Sequence, residues 1–457
     1  MKRYNKDMLH GPLLGNIISY TVPIILASVL QLLFNAADLV IVGRFRGSLS
    51  VGAVGATGAI TNLIISLFIG LSTGVGVNVA HAIGSRDEQQ QHRIVHTALP
   101  VALISGVVLT VVGVCFSKKF LVLMGTPDNI LPLSTLYMQV YFGGITFTMV
   151  YNFCAAVLRA AGDTLRPLIY LAIAGVVNVV LNVIFVWAFG MNVEGVALAT
   201  VISQALSAVL VVLALCRRTD GCRLELKKMK IYKKALGKII TFGVPAGLQG
   251  SMFSISNVLI QSSINSFGDV FMSGNAAAGN IEGFVYISMN AFSQTALNYT
   301  GQNVGARKYD RVKKIIWICI ACAAVLGLAL GGIAYLFAPW LLRIYITDSP
   351  QAIADGILRM GLVCLPYFLC GMMDATTGSL RGLGSSVMPM IISVLGVCVL
   401  RVGWIYSVFQ IPQFHTPQGL LISYPISWVL TFAAQLTAFF IILRKQLRKH
   451  RAQSIAQ

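Results

Sequence analysis

The chain has 457 residues, of which 56% are hydrophobic and only 11% charged. A soluble protein of this length carries about 25% charged residues, so the composition excludes a water-facing surface, and with it soluble enzymes and binding domains. The formal net charge of +19 would point to nucleic acid in a soluble chain; here it is confined to particular loops, and no nucleic-acid partner is expected.

Stretches of about 20 apolar residues cross a hydrocarbon core of roughly 30 Å. Twelve such spans are expected, near 15–42, 51–80, 94–116, 132–158, 167–189, 194–216, 235–265, 273–300, 313–337, 352–380, 387–409 and 418–443. Span 1 carries Pro23 near its start and Phe34, Asn35 and Asp38 towards its end. Span 2 is dense in small residues and includes Gly70-x-x-x-Gly74, a spacing that lets helices approach closely. Span 4 holds Tyr151, span 5 holds Asn178 and Asn182 one turn apart, and span 6 holds Thr200. After a basic linker come span 7 with Pro245 and Phe253, span 8 with Glu282, Tyr286 and Met289, span 10 with Asp374, and span 11 with Arg401. The nine cysteines lie mostly within spans. Cys319-x-x-Cys322 sits mid-span with no second pair and reads as small buried side chains. No cofactor is expected.

The second half repeats the first. Pro23 recurs as Pro245, an offset of 222, and the run Leu158-Arg159-Ala160-Ala161-Gly162 to Pro167 recurs as Leu380-Arg381-Gly382-Leu383-Gly384 to Pro389 at the same offset. Gly84-Ser85-Arg86 faces Gly305-Ala306-Arg307 at an offset of 221. The expected fold is an all-α integral membrane protein with twelve transmembrane helices in two pseudo-symmetric six-helix bundles, arranged as parallel repeats. Residues 1–216 form an amino-terminal lobe, 217–234 a basic cytoplasmic linker, 235–443 a carboxy-terminal lobe and 444–457 a basic tail. Two related hydrophobic halves in one chain are the usual build of a secondary transporter. Both lobes being present in one chain, a monomer is expected.

With the amino terminus placed in the cytoplasm, 27 of the 34 Lys and Arg residues fall in the loops on that side, Lys2 and Arg3 among them, and five in the opposite loops. Such asymmetry puts both termini in the cytoplasm, and the basic loops then meet anionic lipid headgroups. Met1 to Pro12 is a short basic lead, and no cleavable signal is expected.

Four ionisable residues lie well inside apolar spans: Asp38, Glu282, Asp374 and Arg401. A charge near the bilayer centre costs roughly 2.5–3.5 kcal/mol on insertion scales, so each needs a partner, a cavity or a task. At about 1.5 Å per residue, Asp38, Asn182 and Thr200 fall within about 5 Å of one another in height. Asn178 and Asn35 lie about one turn deeper. A carboxylate among amide and hydroxyl oxygens can hold a small hard cation such as Na+, or take up a proton; alternatively the cluster only joins spans 1, 5 and 6 by hydrogen bonds. Glu282 and Arg401 lie at matched depth, which allows either an ion pair or a Glu282 that faces a cavity while Arg401 snorkels outward. Asp374, near the end of span 10, is expected to be solvated or to cap a loop.

In this order the motifs resemble the multidrug and toxic compound extrusion (MATE) transporter family, in its bacterial members. The resemblance covers nearly the whole chain. It rests on Pro23 with Asp38, the repeated Leu-Arg-x-x-Gly loops, Asn178-x-x-x-Asn182, and the run from Thr300-Gly301-Gln302-Asn303 to Lys313-Lys314. It implies two lobes around a V-shaped cavity that alternates between the faces of the bacterial plasma membrane. It also implies export of amphipathic organic cations in exchange for H+ or Na+. Asp38, Asn178, Asn182 and Thr200 match the family's cation-coupling residues, and a Na+ at Asp38 is the one metal ion the resemblance admits. Several relatives carry a second acid where this chain has Asn182, and others an acid on helix 7, where this chain has none; Glu282 is the nearest substitute. Phe34, Asn35, Tyr151, Phe253, Glu282, Tyr286 and Met289 are expected around the substrate cavity, since aromatic faces and thioethers suit flat apolar cations.

The runner-up is a lipid-linked saccharide flippase of the same superfamily, whose phosphates would call for a cationic cavity. An intramembrane enzyme is disfavoured: no metal-ligand spacing, serine–histidine pair or paired carboxylates at common depth is present.

Overall fold

The computed structural model describes residues 6–347 and 349–455; Lys2 and Arg3 of the basic lead, and the last two residues of the tail, lie outside the described residues. Within them the secondary structure is helical, with no strand. In the first half α1 (Leu13–Arg46), α2 (Ser48–Gly84) and α3 (Glu88–Leu123) are followed by α4 (Leu131–Gly143) and α5 (Ile145–Ala160). The last two form a pair bent by 48°. Next come α6 (Leu165–Asn182), prolonged by a π-helical turn Val183–Ala188, and α7 (Val193–Cys216). The second half has α8 (Lys233–Asn265), α9 (Asp269–Gly305), α10 (Tyr309–Leu336) and a short α11 (Ala338–Arg343). It continues with α12 (Pro350–Arg359) and α13 (Tyr367–Gly382), α14 (Val387–Ser393) and α15 (Leu400–Tyr406), then α16 (Pro417–Leu421) and α17 (Ser423–Ile455). π-Helical turns Met360–Cys364 and Val394–Val399 interrupt the tenth and eleventh spans.

These helices occupy all twelve expected stretches. Among the described residues, nine are long and apolar enough to cross a membrane, or ten with α4 and α5 taken as one span. The two outside that count, α8 and α9, run for 33 and 37 residues. Their length suffices, but α8 opens on lysines and α9 carries Asn275, Asn280, Glu282, Asn290, Gln294 and Asn298, which lower its hydropathy.

The repeat reaches into the backbone. Gly47 and Gly268, at φ +86° and +88°, make the tight link between the first two helices of each half, where a side chain would be strained. Arg86 and Arg307, at φ +56° and +58°, end α2 and α9 in the left-handed region. Asp87 N–H donates to Ala82 O (3.0 Å) and Lys308 N–H to Asn303 O (2.8 Å), which closes the same type of helix cap in both copies.

The chain forms two compact units. The first comprises Val22–Ser251 with the described residues up to Asp7; the second comprises Met8–Thr21 with the described residues from Met252 onward. The divisions therefore fall inside α1 and α8 instead of at the 217–234 linker. Two packing features account for this. In the second unit, the start of α1 packs on α9: Tyr20 and Tyr299 rings meet edge-on at 5.4 Å, and the Thr21 and Thr295 hydroxyls are 2.8 Å apart. In the first unit, the start of α8 packs on α2, where Cβ atoms at Gly70 and Gly74 would collide with the backbone of Ile239, Gly243 and Gly247. The linker also belongs to the first unit, because Glu225 N–H donates to His96 Nε2 (3.1 Å) and Tyr232 N–H to Thr97 Oγ1 (3.1 Å).

The second unit is clamped by a buried ion pair. Arg359 on α12 donates through Nε and Nη2 to the two carboxylate oxygens of Glu282 on α9, at 3.0 and 2.7 Å, and through Nη1 to Asn275 Oδ1 at 2.6 Å. The pairing of Glu282 with Arg401 allowed by depth is therefore corrected. Height along the membrane normal matched Glu282 to Arg401 but carries no information on neighbours. Which helix lies beside α9 was not readable, and Gly274 lets the backbone of α12 come up against that face. Replacing Glu282 alone by Leu leaves Arg359 buried without a counter-charge, a loss of about 3–5 kcal/mol. It should appear as a marked fall in the melting temperature of the purified protein. The double replacement Glu282→Leu with Arg359→Met should recover most of that fall; a wild-type melting temperature for Glu282→Leu would contradict the clamp.

Candidate functional site

Asp38 is brought to the interior of the first unit by α1 and is 8% exposed. Its partners arrive from α6 and α7. Asn182 Nδ2 donates to Asp38 Oδ1 at 2.5 Å, and the Thr200 hydroxyl lies 3.3 Å from Oδ2. That hydroxyl is also 3.0 Å from Val196 O, so its single proton serves one acceptor at a time. Asn178 Nδ2 donates to Thr200 Oγ1 (3.3 Å), and Asn178 Oδ1 accepts from Asn182 (3.3 Å). The four residues expected to form a coupling site therefore form one hydrogen-bonded cluster. α6 carries both asparagines on one face because they are four residues apart, and its regular turns end at Asn182, where the π-helical turn begins. Such turns recur at functional sites. Arg46, at the end of α1, donates to Val186 O (2.7 Å) within that turn.

One polar atom in the cluster has no partner. Asn182 Oδ1 is buried and accepts no hydrogen bond. A buried acceptor left empty beside a carboxylate suits a proton or a small cation. Among the described residues no three His, Cys, Asp or Glu side chains converge. Any ion here would therefore meet one carboxylate and neutral oxygens, a donor set suited to Na+ and unlike that of a transition metal.

The cluster opens onto a cavity of about 470 Å³ within the first unit, lined by Phe34, Asn35, Asp38, Asn178 and Thr200 among others. Gly175 has no side chain, which leaves room for the Phe34 ring against α6. Gln31, Tyr137, Tyr141, Asn152 and Gln204 also line the cavity and were not singled out from the sequence. Two of them had a signal: Gln31 lies one turn before Asn35, and Gln204 one turn after Thr200. The two tyrosines and Asn152 come from α4 and α5, which no spacing rule tied to Asp38.

The remaining expected cavity residues do not line this cavity. Tyr151 is packed in the core of the first unit, with its hydroxyl donating to Pro167 O at 3.3 Å. Met289 belongs to a hydrophobic cluster of the second unit, against Gly327 and Gly371, and Phe253 and Tyr286 pack half-buried against another, where Tyr286 meets Tyr367 with ring centroids 6.0 Å apart. Glu282 is held by Arg359. Asp374 is neither solvated nor capping a loop: it is buried and accepts from Asn290 Nδ2 at 3.1 Å. Arg401 points inward, with Nε donating to Ser427 Oγ at 2.8 Å.

The site has no twin in the other half. At the repeat offset of 222, Asp38, Asn178 and Asn182 correspond to Ile260, Leu400 and Trp404. Shared architecture therefore carries a polar cluster in one copy only.

The MatE family model matches residues 23–184 and 245–406, one copy in each half. The probable multidrug resistance protein YoeA of Bacillus subtilis (strain 168) is 26% identical over 420 residues, which cover 90% of each chain. The multidrug export protein MepA of Staphylococcus aureus (strain NCTC 8325 / PS 47) is 20% identical over 398 residues, covering 85% of this chain and 87% of MepA. A solved structure described as the outward-facing conformation of a multidrug resistance MATE family transporter of the MOP superfamily matches with a TM-score of 0.90 at 22% identity. It covers 97% of this chain and 99% of that one, a likeness of fold. With both repeats matched over well more than half of its length, the chain belongs to the MatE family of membrane transporters.

Proposed function

We propose that this transporter is an antiporter of the bacterial plasma membrane, with both termini in the cytoplasm, that exports amphipathic organic cations in exchange for H+ or Na+. The observation that carries this reading is the carboxylate of Asp38, tied to Asn182 and Thr200 at the wall of a 470 Å³ cavity with an empty acceptor beside it. The family's relatives named for drug resistance and drug export support the cargo class.

The proton step needs little movement. Ionised Asp38 accepts from the Asn182 amide nitrogen. Once protonated it has a hydroxyl to donate, and a half-turn of the Asn182 amide presents the carbonyl oxygen that now lacks a partner. With Na+, the same oxygens and those of Asn178 and Thr200 would meet the ion. In either case the arriving cation neutralises the charge that attracts an organic cation, so the two compete. Exchange shifts a two-state transporter only if each ligand prefers a different state. One monovalent cation exchanged for one proton moves no net charge, whereas each further charge coupled to 100 mV adds about 2.3 kcal/mol.

The flippase reading fits less well, because the cavity offers neutral groups and one acid where a phosphate would call for cations.

Proteoliposomes tested for ethidium uptake under a pH gradient, with and without a sodium gradient, provide the test. Gradient-driven uptake by the wild type should fall at least tenfold in Asp38→Asn at equal protein content, and the gradient that drives uptake identifies the ion. Wild-type uptake by Asp38→Asn would overturn the reading. Asn182→Leu removes both the donor and the empty acceptor, and is expected to slow uptake by a comparable factor, with a modest fall in melting temperature from the unpaired Asp38 oxygen. Full uptake by this variant would remove Asn182 from the mechanism.

A further inference from the structure

Two acids and two arginines, Glu282, Asp374, Arg359 and Arg401, are buried in the interior of the second unit. Glu282 is neutralised by Arg359, and Asp374 is hydrogen-bonded to Asn290. Arg401 on α15 remains. It is 4% exposed, its Nε is used by Ser427, and its Nη2 is buried with no hydrogen-bond partner. No carboxylate pairs with it among the described residues. Its guanidinium carbon lies 4.1 Å from the Tyr424 ring centroid and 5.4 Å from that of Trp428. Tyr367 completes the aromatic wall, 4.9 Å from Trp428.

Ring faces attract the guanidinium but give its N–H groups nothing to bond. A buried guanidinium with an empty donor is an incomplete arrangement, since removing such a group from water is offset only by hydrogen bonds and a counter-charge. Glu282 is taken by Arg359, and Asp374 is hydrogen-bonded to Asn290 and makes no ion pair with Arg401, so the donor at Nη2 is open to a partner from outside the chain.

We propose that Arg401 is an anion-binding site, taking a small monovalent anion at Nη2 beside the faces of Tyr424 and Trp428: the carboxylate group of a transported molecule, or chloride. A single guanidinium in an aromatic surround suits one weakly hydrated negative charge, whereas a sulfate or phosphate dianion would leave a charge uncompensated. If the source is a carboxylate, the cargo widens from organic cations to zwitterions. The site itself does not depend on the antiport reading.

The test uses the full-length protein purified in detergent, at fixed ionic strength, with sodium chloride, sodium benzoate or sodium sulfate as probes. The wild type should show a saturable rise in melting temperature with benzoate, chloride or both that sulfate does not produce. Arg401→Gln should lose that rise, and Arg401→Lys should keep a weaker one. A rise with benzoate alone assigns the site to a carboxylate, with chloride alone to a halide, and with both, in competition, to monovalent anions generally. An equal rise in Arg401→Gln, or no saturable rise in the wild type, overturns the proposal. Should Arg401→Gln fail to fold, iodide quenching of tryptophan fluorescence decides. A saturable component in the wild type that is lost in Trp428→Phe supports the site, and purely linear quenching in both contradicts it. Neither readout involves transport, so failure here leaves the antiport reading standing.

Discussion

A carboxylate held away from bulk water keeps its charge only while hydrogen-bond donors face it, and Asp38 relies on Asn182 and Thr200 for that service. The helices that bring these donors are positioned by features with no other evident purpose. Gly175 admits the Phe34 ring, the π-helical turn starts at Asn182, and Arg46 reaches across to Val186. The carboxylate has two donors, and one amide oxygen beside it is left over. A fully satisfied cluster would be glue; the unbonded Asn182 oxygen is the feature on which the proposed exchange rests.

The two halves share a backbone plan and distribute charge differently. Left-handed Arg86 and Arg307 and the links at Gly47 and Gly268 occur at matching positions, so the repeat is preserved down to dihedral angles. The interiors diverge. The first unit keeps a lone acid at a cavity, while the second neutralises Glu282 with Arg359 and gives Asp374 and Arg401 separate neutral partners. Geometry at helix ends is fixed by backbone sterics common to both copies. Side chains inside each bundle answer only to their neighbours, which leaves them free to take on separate chemistry.

The sequence revealed height and periodicity and could not reveal rotation about a helix axis. Apolar run length located all twelve helical stretches, and the i, i+4 spacing put Asn178 and Asn182 on one face beside Asp38. Depth also matched Glu282 to Arg401, but Arg359 on the adjacent α12 reached it first. Tyr151, Phe253, Tyr286 and Met289 were plausible cavity residues by type alone; Tyr151 and Met289 are buried in cores, and Phe253 and Tyr286 pack half-buried against one. The linker was a clear break in composition, yet His96 and Thr97 hold it to α3, and the compact units divide within α1 and α8. Packing of glycine on glycine and edge-on tyrosines decided that division; Gly70-x-x-x-Gly74 announced a close approach but not its partner, and the tyrosine contact has no signature in local sequence.

Cation release on substrate binding is the most direct measurement of whether Asp38 exchanges one positive partner for another. Ethidium added to concentrated protein in weakly buffered detergent solution should release about one proton for each molecule bound, or one radioactive sodium ion from protein loaded beforehand. Asp38→Asn should bind with no release of either. Binding by the wild type without release, or the same release from Asp38→Asn, would contradict competition at this carboxylate.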